Sequence, residues 1–136
     1  MNRATPIRKR SAGFTLIELM IVVTIILILI GMAAQRYEKS VQRAREATLH
    51  QDLMAMRQSI DNFTLDKQAA PQSLDDLVQA GYLRKVPVDP MTQAADWVPQ
   101  FDSVVLSPDQ TSTGMVDVHS ASSRVSPFEN TPYNEW

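Results

Sequence analysis

An α+β fold is predicted, with one long N-terminal helix packed on a short helix and a small antiparallel sheet. Three observations predict it. An apolar run fills residues 14–34. An amphipathic stripe continues from it, with no Pro or Gly between Met32 and Ala70. Short segments of strand character, separated by turn residues, then occupy much of residues 97–118.

The apolar run opens with Gly13-Phe14-Thr15-Leu16-Ile17-Glu18-Leu19-Met20, and Glu18 is its one charged residue. At ~1.5 Å per residue, a helix over these positions is about 31 Å long, close to the hydrocarbon thickness of a bilayer. Ile17, Ile21, Val22, Val23 and Ile25 would suit a strand. A lipid-exposed strand cannot satisfy its own backbone, so a helix is predicted. A carboxylate at the centre of a membrane helix costs about 2.5–3.5 kcal/mol on insertion scales, and less near the interface. Glu18 is therefore a functional candidate. It lies one helical turn beyond Phe14. A cut after Gly13 would leave Phe14 with a free α-amine, a ready partner for Glu18 in the same subunit or a neighbouring one.

Residues 1–13 read as a targeting segment. Arg8, Lys9 and Arg10 place it in the cytoplasm and send the rest of the chain outward. The expected division is a leader over 1–13, a membrane and assembly helix over 14–34, and a periplasmic domain over 35–136. Two plainer readings exist. One is a secretory signal cut after the run, with Gly31-Met32-Ala33 as the small-x-small site; it leaves Glu18 unexplained. The other is an uncut single-span anchor.

A chain of 136 residues holds at most one small domain beside the membrane segment. The leader contains four of the 13 basic residues and no acid. The remainder carries nine basic against 15 acidic residues, a side-chain charge of about −6. Such a domain repels nucleic-acid phosphates. There is no cysteine and hence no disulfide.

The Gly13-to-Glu18 stretch, behind a basic leader and inside an apolar run, resembles the signature of the type IV pilin and pseudopilin superfamily. The resemblance implies that a prepilin peptidase cuts after Gly13 and N-methylates Phe14, and that Glu18 docks each subunit into a helical filament. Many type IV pilins carry a C-terminal disulfide loop; its absence points toward the pseudopilins, and the Ser73–Pro90 stretch resembles the major pseudopilins of type II secretion, the protein G family. A pilin-like fold is implied. So are partners: other copies of the chain, the peptidase, other pseudopilins, an inner-membrane assembly platform and the bilayer. The implied function is a structural subunit of a pseudopilus supporting protein export. The alternatives are a type IV pilin of a surface fibre and a membrane-tethered periplasmic binding module that never polymerises.

Beyond Ala34 the apolar positions become periodic. Tyr37, Val41, Ala44 and Thr48 are spaced 4, 3, 4, and Leu49, Leu53, Met56, Ile60 and Phe63 are spaced 4, 3, 4, 3, with a one-residue shift between the sets. Arg36, Glu38, Lys39, Arg43, Arg45, Glu46, Asp52 and Arg57 supply the polar face. One helix from Phe14 to about Asp66 is predicted, its amphipathic half covered by the residues that follow. The 49–63 stripe is read as core, with other faces open to neighbouring subunits. Superfamily members often have Pro near the position of Gln35; here Gly31 is the local weak point.

Pro71 closes that region. Ser73 with Asp76 three residues on is a helix start, Leu74, Leu77 and Val78 its buried face, and Gly81 its stop. Residues 73–90 resemble the αβ loop of the major pseudopilins, which crosses back over the long helix. Met91-Thr92 departs from the Trp-Gly usual there. Candidate strands are 97–101, 103–106 and 115–118, separated by Ser107-Pro108 and by 111–114. Pro99 confines the first to an edge. Residues 120–136 read as a polar surface loop, with Trp136 able to pack back as an anchor.

No catalytic constellation is visible, and an enzyme is not predicted. His50 and His119 stand alone, and no phosphate loop or cysteine-based metal pattern occurs. Asp102, Asp109, Asp117, Glu129 and Glu135 offer oxygens to a hard cation. The resemblance implies calcium in the C-terminal β loop, but its Gly- and Asp-rich stretch is not reproduced, and solvated loop acids are the plainer account.

Overall fold

The computed structural model describes residues 13–136. Their order is α1 (Leu16–Lys67), α2 (Leu74–Gln79), β1 (Val98–Ser107), β2 (Gln110–His119) and a closing 3-10 turn (Tyr133–Glu135). The leader positions before Gly13 lie outside the described residues. The chain divides into two compact units, Met1–Ser40 and Val41–Trp136.

In the first unit, α1 turns apolar side chains outward all round. Leu19, Ile25 and Leu29 are each more than half exposed, and nothing in the apolar window is buried. By length and composition the stretch can cross a membrane. Thr24, in its middle, donates its hydroxyl to the Met20 carbonyl at 2.7 Å, so that polar group is satisfied within the helix itself.

In the second unit, the expected 49–63 stripe is the core face of α1. Leu49, Leu53, Met56 and Ile60 are almost fully buried, against Leu77 of α2, Met115 and Val118 of β2, and Tyr133. The earlier set behaves differently: Tyr37, Ala44 and Thr48 are exposed. Stepping back from Leu49 by three and then four residues reaches Glu46 and Gln42, and these turn inward instead. Glu46, expected on the polar face, is 6% exposed. An unpaired buried carboxylate is costly, and this one accepts hydrogen bonds from Tyr133 Oη at 2.6 Å and Ser126 Oγ at 2.9 Å. Gln42 Nε2 donates to the same tyrosine oxygen at 2.7 Å. Burial, and then the bond to Glu46, push the Tyr133 hydroxyl pKa up.

The capping residues of α2 are as expected. Ser73 Oγ accepts from Asp76 N, and Asp76 Oδ2 accepts from Ser73 N, a complete capping box. Gly81, at φ +82°, closes the helix: its N–H donates to Val78 O while Tyr82 N–H donates to Leu77 O. These two bonds form a Schellman motif, which needs a left-handed residue there. The chain then crosses α1. The Tyr82 ring meets Phe63 edge-on at 5.6 Å, and its hydroxyl donates to Asp66 at 2.8 Å. Further on, fully buried Asp89 accepts from Met91 N and from the Ser120 hydroxyl, tying this crossing to the end of β2.

The sheet departs from the three predicted strands. The first two are one strand, β1, and residues 111–114, expected to separate strands, lie inside β2; the hairpin turns at Pro108-Asp109. Met115 and Val118 are three apart, so a regular strand would place them on opposite faces. Gln100 pairs with Asp117 and Phe101 with Met115, leaving Val116 as an extra residue. This bulge turns both Met115 and Val118 to the core. Beside it, Met115 N–H donates to Pro71 O at 2.7 Å, and the strand approaches the 70–71 backbone closely. A Cβ at Gly114 would lie 2.6 Å from Ala70 Cβ and 2.8 Å from Pro71 O. Gly114→Ala is accordingly expected to destabilise the fold by about 1–3 kcal/mol, the usual overpacking range. Denaturant unfolding of the full chain in micelles should show a lower midpoint at unchanged slope.

Residues 120–136 are irregular and largely exposed, as expected, but four of their side chains are not at the surface. Ser120, Ser122, Ser126 and Tyr133 are buried. Ser126 N–H donates to Thr131 O and Tyr133 N–H to Arg124 O, beside a Val125–Pro132 bridge. Ser126 Oγ also accepts from Phe128 N and Glu129 N, which explains how so polar a side chain can be buried. Trp136 does pack back: it stacks on His50 at 4.1 Å and meets Tyr133 edge-on at 5.0 Å.

Candidate assembly site

Gly13, Phe14 and Thr15 precede the first turn of α1. Thr15 caps that turn. Its hydroxyl accepts from Glu18 N at 3.3 Å, and its carbonyl accepts the first helical bond, from Leu19 N at 3.2 Å. Phe14 therefore sits just outside the helix, 79% exposed. A Cβ added at Gly13 would meet nothing within 4 Å. Glu18 is exposed in the first turn, where the positive end of the helix dipole favours an acid. Among the described residues, no cation lies within ion-pair distance of its carboxylate. Gly13, Phe14 and Glu18 are thus grouped at one helix end. Thr15 is the member that sequence reasoning missed, although Thr-x-x-Glu is a capping-box spacing.

The other candidates are accounted for by packing. His50, besides stacking on Trp136, has Nε2 3.6 Å from Glu129 Oε1. His119 Nδ1 lies 2.7 Å from Trp136 O, and Nε2 lies 3.2 Å from Gln100 Oε1. The acids do not fit the calcium site that the resemblance implies. Asp102 accepts from its neighbour Ser103 N. Asp117 accepts from Arg57 Nε and from Val118 N. Among the described residues, no three acid or histidine side chains gather where they could hold a metal ion.

Residues 8–34 match the family of the prokaryotic N-terminal methylation motif. The type II secretion system core protein G of Pseudomonas aeruginosa is 33% identical over 99 residues, covering 61% of this chain and 70% of that protein. Its namesake from Klebsiella pneumoniae is 28% identical over 144 residues, covering 94% of this chain and 96% of that protein. That of Escherichia coli K12 is 28% identical over 97 residues, covering 60% and 67%. No solved structure matches. A methylation motif heading one long helix, with a capped short helix and a two-stranded hairpin after it, defines the pilin-like class. Within that class, the chain belongs to the family of type II secretion system core protein G, the major pseudopilins. Those relatives are named as core proteins of a secretion system, not as enzymes.

Proposed function

We propose that this chain is the structural subunit of a helical pseudopilus that supports protein export by type II secretion. A prepilin peptidase removes residues 1–13 and N-methylates Phe14. The apolar part of α1 rests in the inner membrane, with residues 35–136 in the periplasm, until an assembly platform adds the subunit to a filament of its own copies and other pseudopilins. There the apolar helices bundle, and Glu18 enters a dry environment. An unpaired ion in such a place costs several kcal/mol. Pairing with the Phe14 amine of the adjacent subunit removes that cost and fixes axial register, because a slipped neighbour leaves both charges alone.

The observation that carries this reading is the exposed carboxylate of Glu18, one turn from the Gly13-Phe14 junction and the one charge in the apolar, exposed stretch of residues 14–34. Its test is the mass of the native protein purified from membranes. The expected N-terminus is Phe14 carrying a methyl group. A chain that begins at Met1, or beyond Ala33, could not form the pair, and the reading would be abandoned.

A further inference from the structure

The 120–136 segment has little regular structure, yet it buries Tyr133 against α1. Its end is held from the helix by Arg57. Nε of Arg57 donates to Asp117 Oδ1 at 2.5 Å, and Nη2 donates to Val118 O at 3.2 Å and to Trp136 O at 2.8 Å. One guanidinium thus gathers a side-chain carboxylate and two main-chain oxygens from β2 and the 120–136 segment. Carboxylate and carbonyl oxygens are the ligands that a hard cation takes. The pair is about one-third exposed, so its charge attraction alone would be modest. What distinguishes it is the planar fork, which engages three acceptors in one geometry.

We propose that Arg57 is the built-in cation of the 120–136 segment, standing in for a bound calcium ion. The Asp117 side chain at this junction is already taken by the arginine, and among the described residues it belongs to no group of three acid or histidine side chains that could hold a metal ion. A guanidinium stays charged at every physiological pH and cannot be chelated. Calcium sites of extracellular modules, by contrast, empty below about 0.1–1 mM calcium. The consequence is a pseudopilin-family fold that is indifferent to calcium. The inference does not depend on the filament reading, since it concerns the folded subunit alone.

The test has two arms, both on the full chain in detergent micelles. In the first, wild-type protein is melted with excess calcium and with a calcium chelator; equal melting temperatures are expected. A bound ion at a hundredfold excess over its Kd would raise the midpoint by roughly 10 °C or more, and such a rise would overturn the proposal. In the second, amide hydrogen exchange is followed in Arg57→Gln and Arg57→Lys. The amides of Ser126 and Tyr133 are expected to exchange at least about tenfold faster in R57Q, with partial recovery in R57K, because a lysine keeps the charge but loses the fork. Amides within residues 20–30 should not change. Wild-type protection of residues 126–133 in R57Q would equally overturn the proposal. Should R57Q fail to fold, the wild-type calcium arm and R57K still decide.

Discussion

Glu18→Ala is expected to leave leader removal intact and to abolish filaments. The magnitudes set this expectation. The first-turn position of Glu18 places it at the positive end of the α1 dipole, a contribution of about 0.3–1 kcal/mol on an exposed helix. The cost of a lone carboxylate in a dry interior is several kcal/mol. In the proposed filament the dipole therefore does not offset that cost, and a cation supplies the rest. Removing the acid relieves the burial cost, so membrane insertion should improve slightly. What is lost is the preference for one axial position over its neighbours. Electron microscopy of cells producing the E18A variant should show no filaments, while mass spectrometry of the membrane fraction still finds chains starting at Phe14. Filaments of normal length would remove Glu18 from any part in register. Glu18→Gln separates charge from shape: it keeps the size and polarity, and it should assemble no better than the alanine variant.

The second large effect is expected at Gly13. Gly13→Leu should accumulate an uncut, membrane-bound precursor and, in consequence, no filament. The chain's own fold gives no reason for this, because a side chain at Gly13 has open space around it. Thr15 would still cap α1 through the Glu18 amide, and the apolar span would be unaltered. A processing defect in G13L would therefore report contact with the peptidase and not a folding fault. The readout is the ratio of precursor to mature mass in membranes; normal trimming in that variant would place the cut elsewhere.

Most of the fold was legible wherever a local rule governs it. The four-three spacing from Leu49 to Phe63 marks the buried face of α1, the Ser73/Asp76 pair starts α2, and Gly81 stops it, each through interactions within a few residues. The methylation motif was legible because three rare features coincide around Gly13, Phe14 and Glu18. What was misread depends on distant partners or on broken periods. Glu46 looks like a surface acid until Tyr133, 87 residues away, reaches its carboxylate. Residues 120–136 look like a loop because their serines are polar, but Ser120 and Ser126 meet Asp89 and Glu46 from other parts of the chain. The candidate strand 115–118 lies within β2, but Met115 and Val118 do not alternate, so a two-residue period could not put both on the core until the bulge at Val116 was seen. The polar-face reading of Arg57 failed for a related reason: its three acceptors come from residues 117, 118 and 136.

Thr24 carries a last consequence. Its hydroxyl is occupied by the Met20 carbonyl one turn back, and the other side chains between Leu19 and Ala34 have no donor to satisfy. When such a segment leaves lipid for a sheath of its fellows, no hydrogen bond along that stretch has to be exchanged. In the proposed assembly the step swaps acyl tails for methyl groups of similar character, so the traffic between the two surroundings is nearly level, and direction is left to the electrostatic contact proposed at the head of the helix.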